Sequence, residues 1–225
     1  MTDMEAIQAR HAVRQYEAKP LAPQAVSAIK NRIGDINYAS GLHLQLVTGE
    51  KQAFNGGLMH FYGNFKGVDS YIVVAGRRTK NLEEAAGYYG ERLVLDIQKM
   101  GLNTCWVGGT YRRMRSAWNL NPDDHVVCVI AVGYGATQGV AVPVKPLKEV
   151  IRDADLDRVP AWYLNGVKAA QLAPSSMNQK KYSFCYNSDG TVNIDPGIGV
   201  MTKVDMGIAK LHFEIGSGKD RSIWA

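Results

Sequence analysis

The chain of 225 residues is short of cysteine, with only Cys105, Cys128 and Cys185, widely spaced and without a C-x-x-C pair. An odd, scattered set argues against a disulfide framework and against a zinc site. Reduced, buried thiols of a cytoplasmic protein are the expectation. Long apolar runs are missing as well. No uninterrupted stretch approaches the ~18–20 residues a membrane span needs, and Met1 to Arg10 has no apolar core behind a basic start, so neither membrane insertion nor export is expected. Charge is modest, at 21% of residues, with 26 Lys+Arg against 21 Asp+Glu for a net +5. The glycines spell neither a P-loop nor a G-x-G-x-x-G fingerprint, and His43, His125 and His212 are not spaced for a shared metal. What is present is a 46% hydrophobic share, enough for a sizeable core and against disorder over most of the chain. The length suits one large or two small domains.

Hydrophobic periodicity orders the chain. Met4 to Tyr16 places Ile7, His11 and Arg14 at helical spacing, and Gln24 to Ile33 repeats Val26, Ile29 and Ile33 before Gly34, which predicts two helices. Leu42 to Val47 alternates as a half-buried strand. Asn55 to Gly67, rich in glycine and aromatics, reads as an irregular surface segment. Ser70 to Ala75 is a buried strand, Leu82 to Met100 the longest helix with Gly101 as its stop, Thr104 to Val107 a strand running into Gly108-Gly109, and His125 to Val132 a continuous apolar strand ending in Gly133-Tyr134-Gly135. Residues 136–160 form a connecting excursion. A helix from about Ala161 to Leu172, the loop 173–180, strands at Tyr182–Tyr186 and Thr191–Ile194, and a helix from about Val204 to Ile215 follow. Strands alternating with helices predict an α+β (α/β) class.

Three segments carry side chains fit for chemistry. Arg10-His11-Ala12-Val13-Arg14 puts two guanidinium groups four apart and so on one helix face, and guanidinium forks suit phosphate; a solvated basic face is the alternative. Trp106 to Thr110 ends a strand in two glycines, whose lack of Cβ lets backbone N–H groups approach a flat ligand; a plain strand-to-helix turn would look the same. Pro174-Ser175-Ser176-Met177-Asn178 gathers short hydrogen-bonding side chains after a helix, and an Asn side chain both donates and accepts; a simple Asx or Ser turn is the other reading. The two blocks of the chain share an order of helix, short loop (Asn37–Ser40, then Pro174–Asn178), strand and glycine-flanked helix, a faint repeat that proposes related halves at about 1–155 and 156–225.

The joint occurrence of R-H-x-x-R, G-L-N-T-C-W-V-G-G, G-Y-G and A-P-S-S-x-N, in that order, resembles the nitroreductase family of FMN-dependent oxidoreductases, and within it the TM nitroreductase branch, whose name implies no membrane span here. The resemblance implies a nitroreductase-like fold, a central mixed or antiparallel sheet flanked by helices, in a single domain over residues 1–225. Family members are homodimers with FMN in the interface. Here the serine/asparagine loop lies in the second half and R-H-x-x-R only in the first, so the chain looks like a dimer folded into one polypeptide with one complete flavin site, a monomer or weak homodimer.

By resemblance, Arg10, His11 and Arg14 would bind the FMN phosphate and the ribityl or pyrimidine side. Val107, Gly108 and Gly109 would offer backbone groups near N5, and Ser175, Ser176 and Asn178 would reach the flavin from the other half. Lys145 is the candidate for the basic residue that completes the phosphate site, with Lys148 second to it. Two departures stand out: the family's N-x-Q-P-W reads Asn178-Gln179-Lys180-Lys181-Tyr182 here, and His11 is followed by Ala12 where many relatives have serine. Lys180 near the pyrimidine edge would stabilise the negative charge of reduced flavin. No residue is required as a nucleophile, because the cofactor carries the chemistry. The resemblance implies hydride passing from NADH or NADPH through flavin N5 to a small electron-poor acceptor such as a nitroaromatic or quinone, in ping-pong order. The stretch Phe54 to Phe65, with His60, Phe61 and Tyr62, borders the substrate face or is a packed surface loop.

Two other classes compete. An FMN-binding sensor or carrier without turnover would use the same residues. A nucleic-acid module would need clustered cations beside exposed aromatics, whereas Lys and Arg here are interspersed with Asp and Glu apart from Arg112, Arg113 and Arg115; no nucleic-acid partner is expected. Lys219-Asp220-Arg221 reads as exposed tail.

Overall fold

The two longest apolar strand signals become neighbours in space. In the computed structural model, which describes residues 1–54, 64–141, 143–152, 155–156 and 158–225, β1 (Leu42–Val47), β2 (Ser70–Arg77), β3 (Asn103–Val107) and β4 (Asp124–Gly133) form an antiparallel sheet of order β1-β2-β4-β3. β2 and β4 occupy its centre, paired from Ser70 against Val132 to Arg77 against Asp124. A central strand covered on both faces needs no polar alternation, and Tyr71 through Ala75 and Cys128 through Ala131 are all inaccessible to solvent.

The chain divides into two compact units, one of Met1–Gln8, Glu83–Arg92 and Val142–Ala225, the other of Ala9–Leu82 and Leu93–Ala141. The sheet belongs to the second. There, α2 (Pro23–Ser40) opens on a proline, whose fixed φ suits a first helical turn, and packs Ile29, Ile33 and Ile36 inward against β1. One face of the sheet buries Val73, Ala75, Val129 and Ala131 with Val13, Tyr16, Phe54 and Phe65.

In the first unit, α5 (Ala161–Ala170) packs against α6 (Thr202–Ser217), the four-residue helix α4 (Leu147–Val150) precedes them, and β5 (Ser183–Tyr186) pairs with β6 (Val192–Asp195) as an antiparallel hairpin. Its core is aromatic: Tyr163, Tyr182, Phe184 and Phe213 are buried together, and Phe184 stacks on Phe213 at 5.5 Å between ring centres. The remaining long helix, α3 (Leu82–Lys99), has the length its apolar stripe predicts. All three cysteines are free, two of them buried.

Three expectations are corrected. The first helix, α1 (Asp3–Ala9), stops seven residues before Tyr16. From Arg10 the backbone is extended, because its donors find remote acceptors: Val13 N–H donates to Thr104 O at 3.1 Å, Tyr16 N–H to Lys66 O at 2.8 Å and Glu17 N–H to Tyr134 O at 2.8 Å. α2 runs through Gly34 and ends at Gly41, which adopts the left-handed φ of 69° that caps a helix. Asn37 to Ser40 is therefore helix, not the loop that would match Pro174–Asn178. Asn37 instead clasps β1, donating to Leu44 O at 3.0 Å and accepting from Leu44 N–H at 2.8 Å. The C-terminal Lys219-Asp220-Arg221 is exposed yet anchored: Arg221 donates to Tyr89 Oη at 2.9 Å and lies over the Tyr88 ring. No described helix is long and apolar enough to cross a membrane.

Candidate functional site

The R-H-x-x-R segment adds itself to the outer edge of the sheet. β3 is an edge strand, and Ala12 bridges it in parallel at Thr104. Because the segment is extended, Arg10 and Arg14 do not share a helix face, as the spacing had predicted. Burial raises the pKa of the Cys105 thiol on β3, and the charges of Arg14 and Arg10 pull against it. Arg10 is buried and Arg14 exposed. Between them, His11 is half-buried, and its Nδ1 is shut off from solvent with no hydrogen-bond partner among the described residues. A buried ring nitrogen without a partner is costly.

The turn after β4 supports this segment. Ala136 N–H donates to Gln15 O at 2.8 Å, and Gly139, at a φ of +74°, sits so close that a Cβ there would stand 2.8 Å from His11 Cβ. Asn103, buried at the start of β3, fastens the turn: it accepts from Gly135 N–H at 3.0 Å and donates to Gln138 Oε1 at 3.0 Å. Sequence reasoning missed Asn103 and Gln138; no motif marks them, because their role depends on the turn folding back to β3. At the other end of β3, Val107 is buried while Gly108 and Gly109 are exposed. A Cβ at Gly109 would meet no atom within 4 Å, so that side of the backbone is open to a flat group. Arg10, His11, Arg14 and Val107 to Gly109 thus lie on and beside one strand.

The other predicted residues fall in the other unit, Ser175, Ser176, Asn178 and Lys180 on one loop and Lys145 before the helix α4. Ser175 and Ser176 are half-buried and Asn178 is exposed, on a short 3-10 turn spanning Ser176–Asn178. Ser175 Oγ accepts from Lys180 N–H at 3.1 Å. Ser176 N–H donates at 2.8 Å to Asp205, and Gln179 Nε2 reaches the same carboxylate at 3.1 Å. Burial pushes the Asp205 carboxyl up to about 6, against the opposing pull of those two hydrogen bonds. The ammonium groups of the two lysines expected at the cofactor donate to backbone carbonyls. Lys180 is 2% exposed, and its ammonium donates to Gln171 O at 2.5 Å and Pro143 O at 3.3 Å. Lys145 Nζ donates to Lys180 O at 2.7 Å and Gln179 O at 3.1 Å. Lys148 is exposed. His60, Phe61 and Tyr62 lie outside the described residues.

The other described histidines each face a side chain of the protein. His43 Nδ1 meets Asp124 at 2.7 Å, His125 faces Arg78, and His212 pairs with Glu91. No group of three or more potential ligands could hold a metal ion among the described residues.

The sequence model of the family described as "Putative TM nitroreductase" matches residues 3–217. Among solved structures, the chain resembles a "putative nitroreductase" of Thermotoga maritima, with 25% identity, a TM-score of 0.63, and coverage of 96% of this chain and 83% of that one. A "putative nitroreductase in complex with FMN" from Desulfovibrio desulfuricans is 18% identical, with a TM-score of 0.53, over 69% of this chain and 98% of that one. A "putative NADH oxidase" of Clostridium acetobutylicum is 16% identical, with a TM-score of 0.52, over 67% and 99%. These last two share the fold, an antiparallel sheet with flanking helices. No curated protein matches the chain.

Proposed function

This chain belongs to the TM nitroreductase family, and on that premise we propose that it is an FMN-dependent oxidoreductase that moves hydride equivalents from NADH or NADPH to an electron-poor acceptor such as a nitroaromatic or a quinone. The observation that carries the reading is the family match across residues 3–217. The chemistry of the residues fits a flavin mononucleotide. His11 Nδ1 is buried with no partner among the described residues, the cations Arg10 and Arg14 flank it in sequence, and the backbone at Gly109 is open on one side.

In this reading Arg10 and Arg14 hold the phosphate, with forked donors suited to its oxygens. His11 bonds the ribityl or pyrimidine side through Nδ1. Val107, Gly108 and Gly109 offer backbone groups to the ring, and Ser175, Ser176 and Asn178 hydrogen-bond the flavin from their own loop. Lys145 and Lys180 act on that loop, since their ammonium groups already bind its carbonyls and those beside it. Bound FMN supplies two-electron hydride chemistry at N5. The protein's part is to bind, orient and desolvate, so no side chain need serve as a nucleophile. With R-H-x-x-R present once and the serine/asparagine loop present once, we read one complete flavin site per chain.

The test is the visible absorption spectrum of the purified protein, followed by titration with FMN. The expected result is a flavin spectrum at one FMN per chain, bleached by NADH or NADPH and restored by a quinone or nitroaromatic. Colourless protein that takes up no added FMN overturns the proposal. Yellow protein that oxidises neither nicotinamide with any such acceptor overturns the enzymatic part and leaves a flavin carrier.

A further inference from the structure

The loop from Pro174 to Lys180 holds a backbone its residues do not prefer. Met177, Asn178 and Lys180 have φ of 50°, 53° and 40°, the left-handed region where an L side chain crowds its own backbone. Three such residues within four positions, none of them glycine, persist only where the surroundings impose the conformation.

Asp205, in the first turn of α6, bonds this loop at two points. One carboxylate oxygen accepts from Ser176 N–H at 2.8 Å and the other from Gln179 Nε2 at 3.1 Å. Those two donors bracket Met177 and Asn178. The Gln179 amide is itself held, donating also to Val200 O at 2.7 Å, so its link to Asp205 runs between two fixed points. Asp205 is 3% exposed and forms no ion pair among the described residues. A carboxylate in that setting carries a desolvation cost, set here against two hydrogen bonds that both run to the loop. The turn also closes on itself, Asn178 N–H donating to Ser175 O and Gln179 N–H to Ser176 O, each at 3.0 Å, while Lys145 binds the carbonyls of Gln179 and Lys180, and Ser175 Oγ receives the Lys180 N–H. The Ser176 N–H itself is held by Asp205.

We propose that Asp205 is the positioning residue of the flavin loop: its carboxylate, through Ser176 and Gln179, sets the conformation in which Ser175, Ser176 and Asn178 meet FMN. The inference rests on the proposed function, which brings that loop to the flavin. Asp205 does not itself touch the cofactor in this scheme. It removes the cost of ordering the loop at the moment of binding, so its loss weakens FMN without removing any contact to FMN.

The test has one arm without flavin and one with it. In flavin-free protein, Asp205→Ala is expected to speed amide hydrogen exchange at Ser176 at least tenfold, while the Ala209 and Leu211 amides within α6 keep their protection. In the second arm, the FMN dissociation constant rises about tenfold, the scale of losing a hydrogen bond to a charged group. Asp205→Asn keeps an oxygen for Ser176 but turns an NH2 toward the Gln179 amide, so it is expected to fall between wild type and alanine in both arms. It also carries the test should the alanine variant fail to fold. Gln179→Ala combined with Asp205→Asn is expected to be less than additive on FMN affinity, because both changes break one link.

Unchanged Ser176 exchange in Asp205→Ala overturns the inference, as does faster exchange with FMN affinity within twofold of wild type. Equal loss of protection in α6 and the loop reduces Asp205 to a helix-stabilising residue and also overturns it. Wild-type protein that binds no FMN overturns the proposed function and the cofactor half of this inference. The flavin-free arm separates that failure from a failure of Asp205 to hold the loop.

Discussion

His212 and Glu91 meet inside the protein with no solvent access: the imidazole Nε2 lies 2.9 Å from the carboxylate Oε1, and both side chains are 0% exposed. The other ring nitrogen, Nδ1, faces Ala169 O at 3.3 Å. A carbonyl only accepts, so that contact is a hydrogen bond in the tautomer with the hydrogen on Nδ1. The pair ties α3, α5 and α6 together within one unit. Removing one member of such a pair strands the other, so Glu91→Ala is expected to lower unfolding stability by about 3–5 kcal/mol. Glu91→Gln should cost clearly less, since its amide can donate to a neutral Nε2. Urea denaturation of the two variants measures the difference, and equal losses would refute the proton assignment.

Two glycines mark where α3 and α6 run too close for a side chain. A Cβ at Gly87 would stand 2.1 Å from Val204 O, and one at Gly207 would stand 2.1 Å from Glu84 O. Neither backbone can yield cheaply, so Gly87→Ala and Gly207→Ala are each expected to destabilise by about 1–3 kcal/mol or more. Gly34, inside α2, has no atom within 4 Å of where its Cβ would be, so Gly34→Ala should instead stabilise by about 0.5–1 kcal/mol. Denaturant midpoints of the three variants should move in these opposite directions.

Asp205 couples stability to pH. Its carboxyl is raised from 3.8 to about 6 by burial, so the folded state holds its proton more tightly than the unfolded state does. The resulting contribution is fully present below the unfolded value and is lost as pH rises through about 6. Between pH 4 and 7, wild-type stability should therefore fall by of order 2–3 kcal/mol relative to Asp205→Asn, whose side chain does not titrate. Parallel pH profiles for the two proteins would contradict the raised value.

Arg14 separates phosphate recognition from ring recognition. Its guanidinium is exposed at the end of the R-H-x-x-R segment, and Arg14→Ala is expected to weaken FMN roughly tenfold to a hundredfold, as the loss of a charge-assisted bond predicts. Riboflavin, which lacks the phosphate, should bind both proteins within about twofold of each other. Equal losses for the two ligands would place Arg14 away from the phosphate.

Much of this protein is legible along the chain, and particular residues show where legibility ends. The apolar runs of β2 and β4, the stripe of α3 and the alternation in β1 are read correctly, because burial on one or both faces leaves a local periodic trace. Gly34 misleads as a helix stop: its propensity cost is about 1 kcal/mol, and the continued burial of Ile36 outweighs it. The spacing of Ile7, His11 and Arg14 misleads further. Helical periodicity is equally present there, but the donors of Val13 and Tyr16 are claimed by Thr104 and Lys66, which lie about fifty to ninety residues away in sequence.

The sequence by itself determined the α+β class, the free cysteines and the set of side chains with the chemistry for an anionic, planar ligand. Those follow from composition and short-range pattern, which each residue carries with it. Tertiary structure alone decided what those side chains face. It laid Arg10 to Arg14 along the edge of β3, left His11 Nδ1 buried without a partner among the described residues, and turned the ammonium groups of Lys145 and Lys180 onto backbone carbonyls. It also set Asp205 beneath the strained loop. Each of these outcomes depends on a hydrogen-bond partner remote in sequence, and the pairing of donors with acceptors is settled only when the chain closes on itself.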